Sequence, residues 1–171
     1  MEKYLFVDFD GVLVSDNFID ELKHSGRDFN DEFGALFDPK CIDNLLEIIK
    51  QTDAKIIISS SWKEYGIEFL DEMWSNRNIP VKIHSVNPSL LITKYLDQTK
   101  GSSFSLPERF AKGLEINAWL EINAPKDFNY CIIDDECFFL ANQVEHHVQT
   151  NSLNGLTATL AEKAIQILNN D

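Results

Sequence analysis

Three short apolar runs, each halted by an acid or a hydroxyl, constrain the fold of this chain more than any other feature. Tyr4-Leu5-Phe6-Val7 stops at Asp8, Ala54 to Ile58 stops at Ser59-Ser60-Ser61, and Tyr130-Cys131-Ile132-Ile133 stops at Asp134-Asp135. Such runs are too short for helices and suit buried strands. Between them the apolar residues recur at helical steps. Ile42, Leu45, Leu46 and Ile49 follow Asp38-Pro39, an N-cap acid with proline at the first helical position. Ile67, Leu70 and Trp74 mark a second helix, and Leu114, Trp119 and Leu120 a third. A last one packs through Leu160, Ala164, Ile167 and Leu168, opened after Gly155 by Thr157 or by the Thr159…Glu162 capping box. Val81-Lys82-Ile83 adds a short strand, and His147–Gln149 a weak one. Strand and helix alternate, so the expected architecture is α/β: about five mainly parallel strands with helices on both faces.

The chain has 171 residues, which suits one domain spanning residues 1–171. A long loop insertion is expected around 84–106, with one helical turn near Leu91–Leu96. Hydrophobic residues make up 44% and charged residues 25%, a globular balance that excludes disorder and coiled coil. No apolar run approaches the roughly 20 residues that cross a bilayer, and the start lacks a signal-peptide pattern. Cys41, Cys131 and Cys137 cannot pair completely and are not spaced for a metal, so a cytoplasmic location is expected. The net charge of −13 argues against strong general binding of nucleic acid, whose non-specific affinity comes from Lys and Arg on phosphates.

In open α/β sheets ligands bind beyond the carboxyl ends of strands, which is where Asp8, Ser59 and Asp134-Asp135 fall. Taken singly, each is better explained as a helix cap. Together, and with Asp10 added, they are harder to explain that way. If Asp8 and Asp135 meet at about 4 Å, they repel by about 4 kcal/mol at an effective dielectric of about 20. Such a cluster must take up protons or hold a cation. Mg²⁺, a hard ion that takes a few carboxylates and keeps sites for water and phosphate, fits these oxygen donors. Metal-bound carboxylates beside hydroxyls suit phosphoryl transfer.

Asp8-Phe9-Asp10-Gly11-Val12-Leu13 resembles the first signature of the haloacid dehalogenase (HAD) superfamily. Ile56-Ile57-Ile58-Ser59 resembles the second signature, Lys112 fits the third, and Ile132-Ile133-Asp134-Asp135 resembles the fourth. More narrowly, Ser59-Ser60-Ser61-Trp62-Lys63, Lys112-Gly113-Leu114-Glu115-Ile116 and Gly155-Leu156-Thr157 resemble small HAD domains, some associated with multidomain RNA-repair proteins. The resemblance implies a three-layer Rossmann-like fold and a Mg²⁺-dependent phosphatase working through an aspartyl phosphate. It implies Asp8 as nucleophile and Asp10 as leaving-group acid and water-activating base, with its carbonyl on the metal. Asp8 and Asp135 would be carboxylate ligands, with Asp134 assisting or orienting. Ser59, or Ser60 if the strand runs one residue longer, would bind a phosphoryl oxygen, and Lys112 would offset charge. The second motif departs from the commoner Thr or Ser followed by Gly or Asn, which leaves Ser59, Ser60 and Ser61 open. Arg109 competes with Lys112, and Lys94 and Lys100 lie in the preceding loop.

The interval Val14–Asp38 is short for a lid, so a minimal cap or none is expected. An open site admits bulky phosphorylated substrates, a polynucleotide end among them. The alternatives are a receiver-like phosphoryl acceptor or an interaction module on the same fold. Receivers place paired acids after the first strand, whereas here Asp-x-Asp comes first and the pair comes late. No Gly-x-Ser-x-Gly elbow supports a serine hydrolase. His146-His147 would point to opposite faces of a strand rather than share a metal. Cys137 is expected to be buried and inert, and Trp62, Trp74 and Trp119 to be core. Lys63 is equally consistent with the mouth of the site and with solvent.

Overall fold

A computed structural model describes residues 1–89 and 111–170. Its centre is β1 (Glu2–Val7), flanked by β4 (Lys55–Ile58) and β6 (Phe128–Asp134). β5 (Ile83–Val86) lies outside β4, and β7 (His147–Gln149) outside β6. Every neighbouring pair in this five-stranded sheet is parallel. The order places the three most apolar runs side by side, where both faces can be covered.

Alternation along these strands divides the core in two. Leu5, Val7, Ile56, Ile58, Cys131 and Ile133 face one side. There they pack with α2 (Pro39–Thr52), α3 (Ile67–Asn76) and α5 (Ala158–Asn169). Tyr4, Phe6, Ile57, Tyr130 and Ile132 face the other side, against α4 (Ala111–Asn123) through Ile116, Trp119 and Leu120. Trp119 meets Tyr4 and Phe6 edge-on at 5.0 and 5.5 Å and donates its indole N–H to Ser85 Oγ at 2.8 Å. Asp38 caps α2 through the Lys40 amide, and Thr157 caps α5 through the Leu160 amide. Both caps stand where the sequence predicts them.

The edge strand differs from expectation. It runs from Ile83 to Val86 rather than from Val81 to Ile83, because the Val81 carbonyl accepts the Trp74 indole N–H instead of joining the ladder. β5 thus occupies the first residues of the stretch read as a loop around 84–106. The predicted turn at Leu91–Leu96 lies outside the described residues.

The interval Val14–Asp38 contains α1 (Asp16–His24) and a two-residue-per-strand hairpin, β2 (Asn30–Asp31) with β3 (Gly34–Ala35). Among the described residues no separate lid domain is inserted there. No helix of the described residues is long and apolar enough to cross a membrane.

Because Trp119 is buried and Ile122 on the same helix is 79% exposed, their truncations should separate. Trp119→Ala is expected to cost about 4 kcal/mol in urea unfolding, and Ile122→Ala about 0.5 kcal/mol or less. Comparable losses would contradict the packing of α4.

Candidate active site

The sheet continues one residue beyond its apolar runs, and there it turns polar. The amides of Asp8, Ser59, Asn87 and Thr150 bond to the carbonyls of Ile133, Val7, Ile58 and Asp134 at 2.9–3.1 Å. Asn87, Ser59, Asp8 and Asp134 therefore form one buried row across four strand ends, with buried Thr150 one position beyond it at the end of β7. By strand alternation Asp8, Ser59 and Asp134 share the face of Phe6, Ile57 and Ile132, the face covered by α4. The first turn of α4 brings Lys112 to them.

Lys112 Nζ lies 2.7 Å from Asp8 Oδ2 and 2.6 Å from Asp134 Oδ2. Carboxylate oxygens of Asp8, Asp134 and Asp135 all lie within 4.8 Å of one another. Burial pushes the Asp134 carboxyl up to about 7; Lys112 opposes this and Asp8 adds to it. Burial also works against the Lys112 ammonium, but Asp8 and Asp134 override it and hold the proton more tightly. Phe9 N–H donates to Asp8 Oδ1 at 2.7 Å, and Glu136 N–H to Asp134 Oδ1 at 2.9 Å. Asp134 Oδ2 is buried without an aligned hydrogen bond, although the ammonium is adjacent.

Asp135 belongs to the same cluster from the other side. Gly11 turns at φ +70°, and a Cβ there would fall 2.5 Å from Asp135 Cγ. Glycine is therefore required for the loop after β1 to pass beside this carboxylate. Thr150 Oγ1 holds the loop by donating to the Gly11 carbonyl at 2.7 Å, and Gln149 Nε2 donates to the Asp135 carbonyl at 3.0 Å.

Asp10 stands apart from the three carboxylates. Its residue surface is exposed, and its Oδ2 accepts the Trp62 indole N–H at 3.0 Å. Partial burial of the carboxyl raises its pKa, the Trp62 bond lowers it, and Asp8 and Asp135 raise it further.

The three serines separate by what their hydroxyls do. Ser60 caps the 3-10 turn Ser61–Tyr65 by accepting from the Trp62 amide at 3.4 Å, so the fallback role read for it competes with a structural one. Ser61 is exposed. Ser59 Oγ accepts from Asn87 Nδ2 at 3.2 Å. Lys63 Nζ fixes that amide by donating to Asn87 Oδ1 at 3.1 Å, and itself pairs with Glu115 Oε2 at 2.5 Å. A lysine can only donate, so Asn87 must present its NH₂ to Ser59, leaving the Ser59 hydroxyl proton free to donate elsewhere.

Sequence reasoning missed Asn87, Thr150 and the linking roles of Trp62 and Lys63. Asn87 carried a weaker signal than Asp8 or Ser59, because the strand it ends, Ile83-His84-Ser85-Val86, is not an apolar run. Lys63 has a side chain only 8% exposed, so it is not solvated, and it reaches the site through Asn87. Cys137, expected to be buried, is exposed because the chain has left the sheet after Asp135. Trp74 and Trp119 are core, whereas Trp62 is half-buried. His146 stacks on Tyr130 at 4.1 Å and His147 reaches the Asp134 carbonyl, so the two do not converge. Arg109, Lys94 and Lys100 lie outside the described residues.

Among the described residues, three carboxylates against one ammonium leave two negative charges when ionised. An all-oxygen donor set of that charge fits a hard divalent cation. A family model described as the HAD domain in Swiss Army Knife RNA repair proteins matches residues 4–161. No curated protein and no solved structure matches the chain.

Lys112→Met removes the cation between Asp8 and Asp134 and is expected to cost roughly 3 kcal/mol of stability. Adding Asp134→Asn should restore part of the loss, with a coupling energy above about 1 kcal/mol in a double-mutant cycle. Simple additivity would contradict the bridging geometry.

Proposed function

The chain belongs to the family of HAD domains found in Swiss Army Knife RNA repair proteins, and from that membership we propose a Mg²⁺-dependent phosphatase acting on phosphomonoesters. The observation that carries the reading is Lys112 bridging Asp8 and Asp134 inside a cluster of three carboxylates at the strand ends.

In this reading Asp8 attacks phosphorus. The Asp8–phosphorus bond forms as the bond to the leaving oxygen breaks, and Asp10 gives that oxygen its proton. Asp10 then takes a proton from water, whose oxygen attacks the aspartyl phosphate and frees inorganic phosphate and Asp8. Lys112 offsets charge on the nucleophile and the phosphoryl group. Ser59, with its proton turned outward by Asn87, donates to a phosphoryl oxygen. Asp8, Asp135 and the Asp10 carbonyl would hold Mg²⁺, with Asp134 assisting or orienting. When bound, the ion neutralises charge on the phosphate and keeps Asp8 ionised.

The small insertion between Val14 and Asp38 supports an open site that admits a bulky phosphorylated substrate. The family's association with RNA repair favours a polynucleotide end. The net charge of −13 limits such binding to local contacts rather than general affinity for the polyanion.

Hydrolysis of 4-nitrophenyl phosphate should require Mg²⁺ and cease on chelation. Asp8→Asn should abolish it, and Asp10→Asn should lower kcat by about 10²–10⁴-fold. Stable labelling by acetyl phosphate without turnover would favour a receiver-like acceptor instead. A screen of nucleotides, phosphosugars, phosphopeptides and end-phosphorylated oligonucleotides would then set the substrate class.

A further inference from the structure

Asp10 sits on a loop three residues past the end of β1, where the Leu13 and Val14 amides both return to the Phe9 carbonyl. A carboxyl on such a loop has side-chain torsions to fix before it can transfer a proton in one direction. The donor that fixes it comes from 52 residues away. Trp62 Nε1 donates to Asp10 Oδ2 at 3.0 Å.

Trp62 is itself held on several sides. The 3-10 turn that carries it begins at the Ser60 cap and ends at Gly66. Its ring meets Phe9 edge-on at 5.5 Å and Phe37 at 6.2 Å. Gly34 of β3 comes so close that an added Cβ would lie 2.9 Å from Trp62 Cη2. Arg77 lies over the Phe37 and Trp62 rings at 4.2 and 5.9 Å. It is anchored by two bonds of 2.9 Å to Asp31 of β2. The hairpin inserted after α1 thus acts on the site from behind, as a buttress for the indole.

We propose that Trp62 is a positioning residue for the leaving-group acid, its indole N–H holding Asp10 Oδ2 so that the transferable proton resides on Oδ1. The proposal rests on the phosphatase reading and deepens it. An indole N–H donates and cannot accept, so it engages one carboxyl oxygen without competing for the proton. In the protonated acid Oδ2 takes the indole bond, and Oδ1–H is left to the leaving oxygen. After transfer the same bond holds the carboxylate as Oδ1 receives a proton from water. No net proton is gained or lost by Trp62.

The test compares two esters and one spectroscopic signal in the full chain. Trp62→Phe keeps an aromatic ring among Phe9, Phe37 and Gly34 but removes the donor. With an alkyl phosphate, whose poor leaving group needs protonation, kcat and kcat/KM should fall on the order of 10²-fold with KM unchanged. With 4-nitrophenyl phosphate, which leaves without a proton, kcat/KM should stay within about threefold even where kcat falls, because only hydrolysis of the aspartyl phosphate then needs Asp10. Equal losses of kcat/KM on both esters, or none on either, overturn the proposal. Independently, Asp10→Ala should shift the Trp62 indole N–H resonance, identified by its absence in Trp62→Phe. The resonances of Trp74, bonded to the Val81 carbonyl, and Trp119, bonded to Ser85, should stay in place. An unmoved Trp62 resonance overturns the pairing. A wild-type chain inert toward both esters with Mg²⁺ overturns the phosphatase reading and this role with it, while the resonance still reports on the bond alone.

Discussion

Asp8, Asp134 and Asp135 bring carboxylate oxygens within 4.8 Å of one another at the rim of a parallel sheet, and Lys112 places an ammonium against two of them. Like charges at that spacing in a partly dry environment repel by several kcal/mol, so the rim is stable only with a cation built in. Helix α4 supplies it. The helix is therefore more than a cover for Tyr4, Phe6 and Ile132: the packing of Trp119 at its middle sets where Lys112 stands at its start. Burial of apolar area on that face is what offsets the electrostatic cost at the rim.

The row of strand-end residues shows how one sheet divides its work. Up to Val7, Ile58 and Ile133 the side chains exclude water from both faces. One residue later the backbone ladder still holds, so Asp8, Ser59 and Asp134 inherit its spacing and rigidity. Each is buried, and each has its neighbours fixed by hydrogen bonds, from the Phe9 amide to the Asn87 amide group. Groups ordered in this way before substrate arrives need little reorganisation during a reaction. The pairing of Lys63 with Glu115 extends that order, since it decides which end of Asn87 faces Ser59.

Much of this was legible in the sequence, because apolar runs and helical periods are local signals. The strands from Tyr4 and Tyr130, the Asp38 cap, the His147–Gln149 edge and the carboxylates ending the runs could all be read directly. What could not be read depends on partners distant in the chain. Ser59 and Ser60 differ only in whether the ladder or a turn claims them. Lys63 appears solvated until Glu115, 52 residues on, closes over it. Val81 was read as strand because nothing nearby shows that the Trp74 indole takes its carbonyl. Trp62 looked like core, and it is packed against core rings, but its indole N–H serves Asp10. The small hairpin carried no strand signal at all, with two residues in each arm, and it holds its place through Arg77 and Asp31.

The proposed Mg²⁺ site is the carboxyl rim, and the position of a bound ion decides whether it is. Crystals grown with Mn²⁺ in place of Mg²⁺ should show one anomalous peak touching carboxylate oxygens of Asp8 and of the Asp134–Asp135 pair, and lost in Asp135→Asn. An anomalous peak elsewhere on the chain, or none at saturating Mn²⁺ with Lys112 still bridging Asp8 and Asp134, would contradict the account.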